Sequence, residues 1–293
     1  MEWFTADRVF VEGAYRPARW LGVEGGTIRE VADRPPGDGA VVAFADAAIF
    51  PGTVNTHTHA FHSLLRGCGD DLPLLEWLYD VVYRHAALFT PEQAYLGAAL
   101  AFGEMLKNGI TTVVDFFYLN GQGQEYARAT IRAAEDLGMR LVLARTFMDL
   151  ERAPGTIRES VPQAAGRYGE LARAYRGHPT VRICPAAHSL HAASTEMIHA
   201  AAQCAKEQGS CGTCTWRPPR GPSGRFTSVL DAPPCGGCWT SASSARTSWP
   251  SMRCLTTLPP TCSWAIGPRR SPPCGAPACA WDSGRTAGST TTA

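Results

Sequence analysis

The chain has 293 residues, 27 basic and 26 acidic side chains, and a formal net charge of +1. Such a balance argues against a nucleic-acid or membrane-surface binder. No run approaches the roughly 18 apolar residues of a membrane-spanning helix, and Glu2, Asp7 and Glu12 interrupt the start, so no secretory signal is expected.

Residues 1–50 read as short strands and turns, a partial β-sandwich layer. Arg8-Val9-Phe10-Val11, Trp20-Leu21-Gly22-Val23 and Val41-Val42-Ala43-Phe44 are strand-like, with Glu24-Gly25-Gly26 as a turn. From Ile49 the texture alternates. Ala48 to Asn55 is a candidate buried strand leading into His57-Thr58-His59. Pro91 to Lys107 reads as a helix, with Thr90 as N-cap, Pro91 in the first turn and Gly109 ending it. Ile110 to Phe116 is β-branched and apolar, hence strand. Glu125 to Leu137 is helix up to Gly138, Met139 to Thr146 strand, Ile157 to Tyr175 largely helix, Thr180 to Pro185 strand, and Thr195 to Gln208 helix closed by Gly209. Strand–helix alternation of this kind implies a parallel sheet with helical crossovers. Half of a (β/α)8 barrel and a doubly wound sheet fit the periodicity equally well.

The composition changes near residue 209. Residues 1–209 hold 49 Leu, Ile, Val and Phe; the last 84 residues hold six, too few to offset chain entropy by burial. The last His is His199 and the last Glu is Glu207, while eight of eleven Cys lie beyond. Residues 210–293 are therefore expected to be a tail without a core. Cys68, Cys184 and Cys204 are isolated in sequence, as in the reduced thiols of a cytoplasmic protein.

The chemistry concentrates in Pro51-Gly52-Thr53-Val54-Asn55-Thr56-His57-Thr58-His59-Ala60-Phe61-His62. Histidines at i and i+2 on a strand point to one side and can share a divalent ion. Two structural histidines are the plain alternative, but a β→α loop is where barrel active sites are built.

Pro-Gly-x-x-Asn-x-His-x-His-Ala resembles the first-strand metal motif of the amidohydrolase superfamily. Phe61 to Gly67, Asp70 to Leu78 and Glu104 to Asp115 resemble its aminohydrolase branch, which includes methylthioadenosine/S-adenosylhomocysteine, guanine-type and triazine enzymes. The resemblance covers residues 1–209. It implies a (β/α)8 barrel of the metal-dependent hydrolase type with a small β-sandwich layer, residues 51–209 being the first barrel half, truncated after about four β/α units. It implies a mononuclear metal, zinc with iron as the alternative, held by His57 and His59, and hydroxide on that metal attacking a purine, nucleoside or related N-heterocycle to release ammonia. His188 matches a fourth-strand histidine that contacts substrate, and His62, Trp77 and Glu76 lie in the loop that shapes the pocket. His191 and His199 are expected to be helix-associated, His85 and His178 on the surface. The partner implied is a small molecule, not nucleic acid or membrane, with homo-oligomerisation open for the intact protein.

The family pattern also calls for histidines on strands 5 and 6, a Glu beside the former and an Asp on strand 8. No catalytic residue of this kind is found at the matching places. Reading triplets from the third codon base, Gly209 to Arg217 can encode Gly-(Val/Leu)-(Leu/Val/Met)-(Trp/Arg)-His-x-His-x-Glu. Pro250 to Cys254 and Cys279 to Thr291 can encode words like strands 6 and 8. A frameshift near codon 209 therefore accounts for the missing ligands and predicts an inactive chain as written. The rival readings are a non-catalytic truncated product and a zinc ribbon on Cys211, Cys214, Cys235 and Cys238, whose strands the intervening prolines would break.

Overall fold

Aromatic and β-branched residues open the chain as strands, and the computed structural model, which describes residues 1–210, 213–214 and 264–268, assembles them into one six-stranded sheet. Strand β1 (Glu2–Val11) pairs antiparallel with β2 (Ala14–Arg16) and β3 (Trp20–Glu24), and β3 pairs with β4 (Thr27–Ala32). Strand β5 (Ala40–Pro51) runs parallel to β1. Ala6, Val9, Leu21, Ala47 and Ile49 form a small core on this sheet. Full burial of side chains the size of Leu21 and Ile49 contributes roughly 1.5–3 kcal/mol each.

The expected continuous strand from Ala48 to Asn55 is instead two strands in two sheets. Strand β5 ends at Pro51, and β6 (Thr53–Thr58) starts the second sheet after Gly52. A Cβ on Gly52 would overlap the Thr111 side chain, so the crossing requires glycine. The strand reading runs through this point because no charged residue breaks Ala48–Asn55 and Ile49, Phe50 and Val54 flank the Pro51-Gly52 step. Nor is β6 buried: Thr53, Val54, Thr56 and His57 are exposed, because β6 is the edge of its sheet among the described residues.

The second sheet is parallel, in the order β10-β9-β8-β7-β6, with β7 Ile110–Phe117, β8 Arg140–Phe147, β9 Val181–Ala187 and β10 Thr213–Cys214. A 3-10 helix (Ala60–Leu65), α1 (Leu74–Glu76), a π-helical stretch (Trp77–Tyr83), α2 (Arg84–Ala86) and α3 (Pro91–Lys107) connect β6 to β7. The remaining crossovers are α4 (Glu125–Leu137), α5 (Val161–Ala174) and α6 (Thr195–Gln208). Thr90 and Gln93 close a capping box on α3, as Ser160 and Gln163 do on α5. The fifth helix starts later than Ile157 because Ser160 supplies its cap.

One face of the parallel sheet packs under the helices: Val113, Phe117, Leu141, Leu143, Phe147, Val181 and Ile183 meet Ala98, Phe102, Ile131, Leu171 and Met197. The other carries a smaller cluster of Phe116, Ala144 and Ala186. The period of two along each strand separates the faces. Two short strands fall within residues 210–293, where composition predicts no fold. Strand β10 extends the parallel sheet beside β9, and β11 (Trp264–Pro268) pairs antiparallel with β5. Cys214 thus lies in the parallel sheet, whereas Cys211, Cys235 and Cys238 lie outside the described residues. So do the words read from 250–254 and 279–291. No helix among the described residues is long and apolar enough to cross a membrane.

Candidate functional site

The β6–β7 ladder skips between Asn55 and Thr58, and the two histidines sit around this irregularity. The Asn55 side-chain oxygen accepts the His57 N–H at 3.1 Å, bending the strand end. The His57 and His59 ring centroids lie 5.0 Å apart, and both rings lean on Phe116, at 5.3 and 5.6 Å. His59 Nδ1 lies 2.7 Å from the Phe116 carbonyl oxygen, which can only accept. That bond puts the proton on Nδ1 and leaves Nε2 with its lone pair, the form that ligates metals.

Tyr118 and His62 extend the cluster. The Tyr118 hydroxyl and His62 Nε2 share a hydrogen bond. The His62 ring lies 4.8 Å from His59 and 5.3 Å, edge to face, from Trp77, whose indole N–H donates to the Cys68 carbonyl at 3.0 Å. His188 follows β9, its ring 5.7 Å from that of Phe116 and 6.0 Å from that of Tyr118. The Ser189 N–H donates to its Nδ1 at 2.8 Å, so the Nε2 side carries the proton in the neutral ring. A cleft of 590 Å³ runs past His59, His62 and Trp77 along the open edge of β6, towards Glu104 and Asn108 at the end of α3.

Burial keeps these imidazoles neutral. It lowers His59 and His188 to about 4 and His62 to about 2; a neighbouring imidazole adds to each, while the Phe116 carbonyl pulls His59 back up. His57, open on one side, is lowered by its partial cover. Burial raises Asp115 to about 7 and Tyr118 well above its ordinary value.

Five of the six expected site residues thus gather: His57, His59, His62, Trp77 and His188. Glu76 does not join them; it is exposed on α1 and away from the cleft lining. His191 sits in an exposed turn before α6, whereas His199 is within that helix. His178 is not a plain surface residue: its Nδ1 accepts from Val181 N at 3.1 Å while Nε2 lies 3.1 Å from Glu135, tying α4 to the start of β9. Sequence reasoning missed Asp115 and Tyr118. A charged residue inside the apolar run Ile110–Phe117 was the available signal for Asp115. Arg145, inside the apolar run Leu141–Phe147, was the same kind of signal for the buried Arg145–Glu159 pair, whose carboxylate oxygens lie 2.7 and 2.8 Å from the guanidinium.

Among the described residues no group of three or more His, Cys, Asp or Glu is placed to hold a metal ion. The donors present fit part of a zinc sphere: two adjacent imidazoles held neutral, one with its tautomer fixed for ligation.

Paired histidines leave the first strand of a parallel sheet with helical crossovers, and the comparisons give the class. Residues 48–211 match the amidohydrolase family, and the chain belongs to it. It is 37% identical over 164 residues to a 5-methylthioadenosine/S-adenosylhomocysteine deaminase of Bacillus cytotoxicus, covering 55% of this chain and 36% of the relative. A zinc-bound adenosine deaminase from Xanthomonas campestris superposes with a TM-score of 0.64 at 25% identity, over 73% of this chain and 48% of the other. A zinc complex of atrazine chlorohydrolase from Arthrobacter aurescens TC1 gives 0.67 at 24%, over 75% and 53%. The likenesses carry a TIM-barrel-type fold, of which the chain spans about half in the solved structures and about a third of the length of the curated relative.

Proposed function

We propose that this chain carries the first half of a zinc-dependent aminohydrolase site, and that the reaction of the whole site is hydrolytic removal of ammonia from a purine, nucleoside or related N-heterocycle. The observation that supports it most is His59, whose Nδ1–H rests on the Phe116 carbonyl while Nε2 is free beside His57. His57 and His59 would hold the ion. When bound, a divalent ion in such a site supplies Lewis acidity that brings the pKa of a water towards neutrality. The protein groups do the rest. Trp77, which lines the cleft, offers flat apolar surface against which a heterocycle can stack. His188, with its proton on the Nε2 side, can donate a hydrogen bond to a ring nitrogen or exocyclic group, and burial keeps it neutral at pH 7. The relative named as a 5-methylthioadenosine/S-adenosylhomocysteine deaminase makes those two nucleosides the first substrates to try.

The chain as written has two imidazole ligands where catalytic zinc normally has three protein ligands. Strand β10 bears on the rest: Thr213 pairs with Ala186, two residues before His188, and the shifted frame can encode His at that codon. This register favours a translation slip near codon 209 over a separate zinc-binding tail. Two measurements test the reading. The nucleotide sequence around codon 209 should contain the His-x-His-x-Glu word in the third-base frame. Ammonia release from the two nucleosides with added zinc should be at background for the chain as written and appear on restoring the frame. Turnover by the chain as written, or none from any N-heterocycle after restoration, would contradict it.

A further inference from the structure

Backbone pairing between β6 and β7 ends at Thr58 opposite Asp115, just before the second histidine. Beyond that point two consecutive residues of β7 hold His59 and Ala60. The Phe116 carbonyl accepts from His59 Nδ1, and one Asp115 carboxylate oxygen accepts the Ala60 N–H at 2.8 Å. Side chains of neighbouring strand residues leave on opposite faces, so Asp115 reaches Ala60 from the helix-covered side while Phe116 faces the histidines. Ala60 begins the 3-10 helix, where an N–H has no acceptor within the helix, and His59, its N-cap, offers no side-chain bond. Asp115 is fully buried, and its second oxygen has no hydrogen-bond partner in the protein. A buried carboxylate with an unpartnered oxygen is costly to keep in an apolar strand.

We propose that Asp115 is a positioning residue, which grips the Ala60 amide and so locks the turn that holds His59 with Nδ1–H on Phe116 and Nε2 free. Its metal side rests on the functional reading above; its effect on the His59 ring does not. The full chain serves for the test, as wild type and as Asp115→Asn, Asp115→Glu and Asp115→Ala. Asparagine keeps an acceptor in place without charge; glutamate keeps charge but displaces the acceptor by one methylene.

Nitrogen-15 NMR of the metal-free histidine rings reports the His59 tautomer, and competition with a chromophoric chelator reports zinc affinity. Wild type and Asp115→Asn should show a single Nδ1–H tautomer at His59 and zinc affinities within about threefold of each other. Asp115→Ala and Asp115→Glu should show tautomer averaging and affinity about 10- to 100-fold weaker, the range for loss of groups that orient metal ligands. An unaltered His59 tautomer in Asp115→Ala, or averaging in Asp115→Asn, overturns the proposal. Where Asp115→Ala fails to fold, the asparagine and glutamate variants decide by the same criteria, with charge-dependent rather than acceptor-dependent behaviour overturning it. Wild type that binds no zinc contradicts the metal reading, while the tautomer comparison still decides the role of Asp115.

Discussion

Burial sets the protonation of every histidine at the site, and this has a consequence for stability. His59 and His188, lowered to about 4, and His62, lowered to about 2, are neutral when folded and charge more readily when unfolded. Their contribution is present above the unfolded value near 6.5 and is lost as the pH falls towards about 4. Asp115, raised to about 7, acts in the opposite sense: its contribution is present below the ordinary carboxylate value and is lost as the pH rises through about 7. Near pH 5, unfolding takes up about three protons on histidine and releases about one from Asp115, a net uptake of roughly two and a slope of at most about 2–3 kcal/mol per pH unit. The urea midpoint of the metal-free chain is expected to rise from pH 4.5 to 6.5; a flat or falling midpoint would contradict the burial of these rings. At this scale the sequence was informative where residue type and spacing coincide. His57 and His59 were legible two apart, and His62, Trp77 and His188 fell into place through the resemblance. Asp115 was not, because its role arises from a strand beside it in space rather than in sequence.

Helices with explicit end signals were read to the residue. Pro91–Lys107, Glu125–Leu137 and Thr195–Gln208 each end at a glycine or just before one, and Thr90 caps the first of them. The errors fell where hydropathy persists through a change of partner. The uncharged run Ala48–Asn55 crosses from one sheet to another at Gly52, and the long β1 was read only over its last residues, Arg8 to Val11. The π-helical stretch Trp77–Tyr83 left no periodic trace. The cap on α3 matters beyond that helix. Gly97 lets it approach the Phe61 backbone closely, and Ser63 Oγ donates to the Gly97 carbonyl at 2.6 Å, fixing the 3-10 helix that carries His62. Thr90→Ala removes one half of the capping box and is expected to cost about 1 kcal/mol. In a chain of this size that lowers the thermal midpoint by about 2–4 °C. An unchanged midpoint in a calorimetric scan would show that the end of α3 is held by other contacts.

For the molecule as a whole, the parallel sheet brings three strand ends to one place. Strand β6 delivers His57 and His59, β7 delivers Phe116 and Tyr118, and β9 delivers His188. The barrel class was legible because strand and helix alternate and the histidine pair sits at a β→α junction. The strands at 213–214 and 264–268 were not, since composition averages over a long tail and pairing is set by the sheets already in place. X-ray absorption at the zinc edge, on the full chain with one equivalent of zinc, addresses the central claim directly. Imidazole scattering at about 2.0–2.1 Å, lost in His57→Ala/His59→Ala and free of a sulfur shell, is the expected result. A sulfur shell near 2.3 Å that survives that double substitution would place the ion on cysteines and contradict the account.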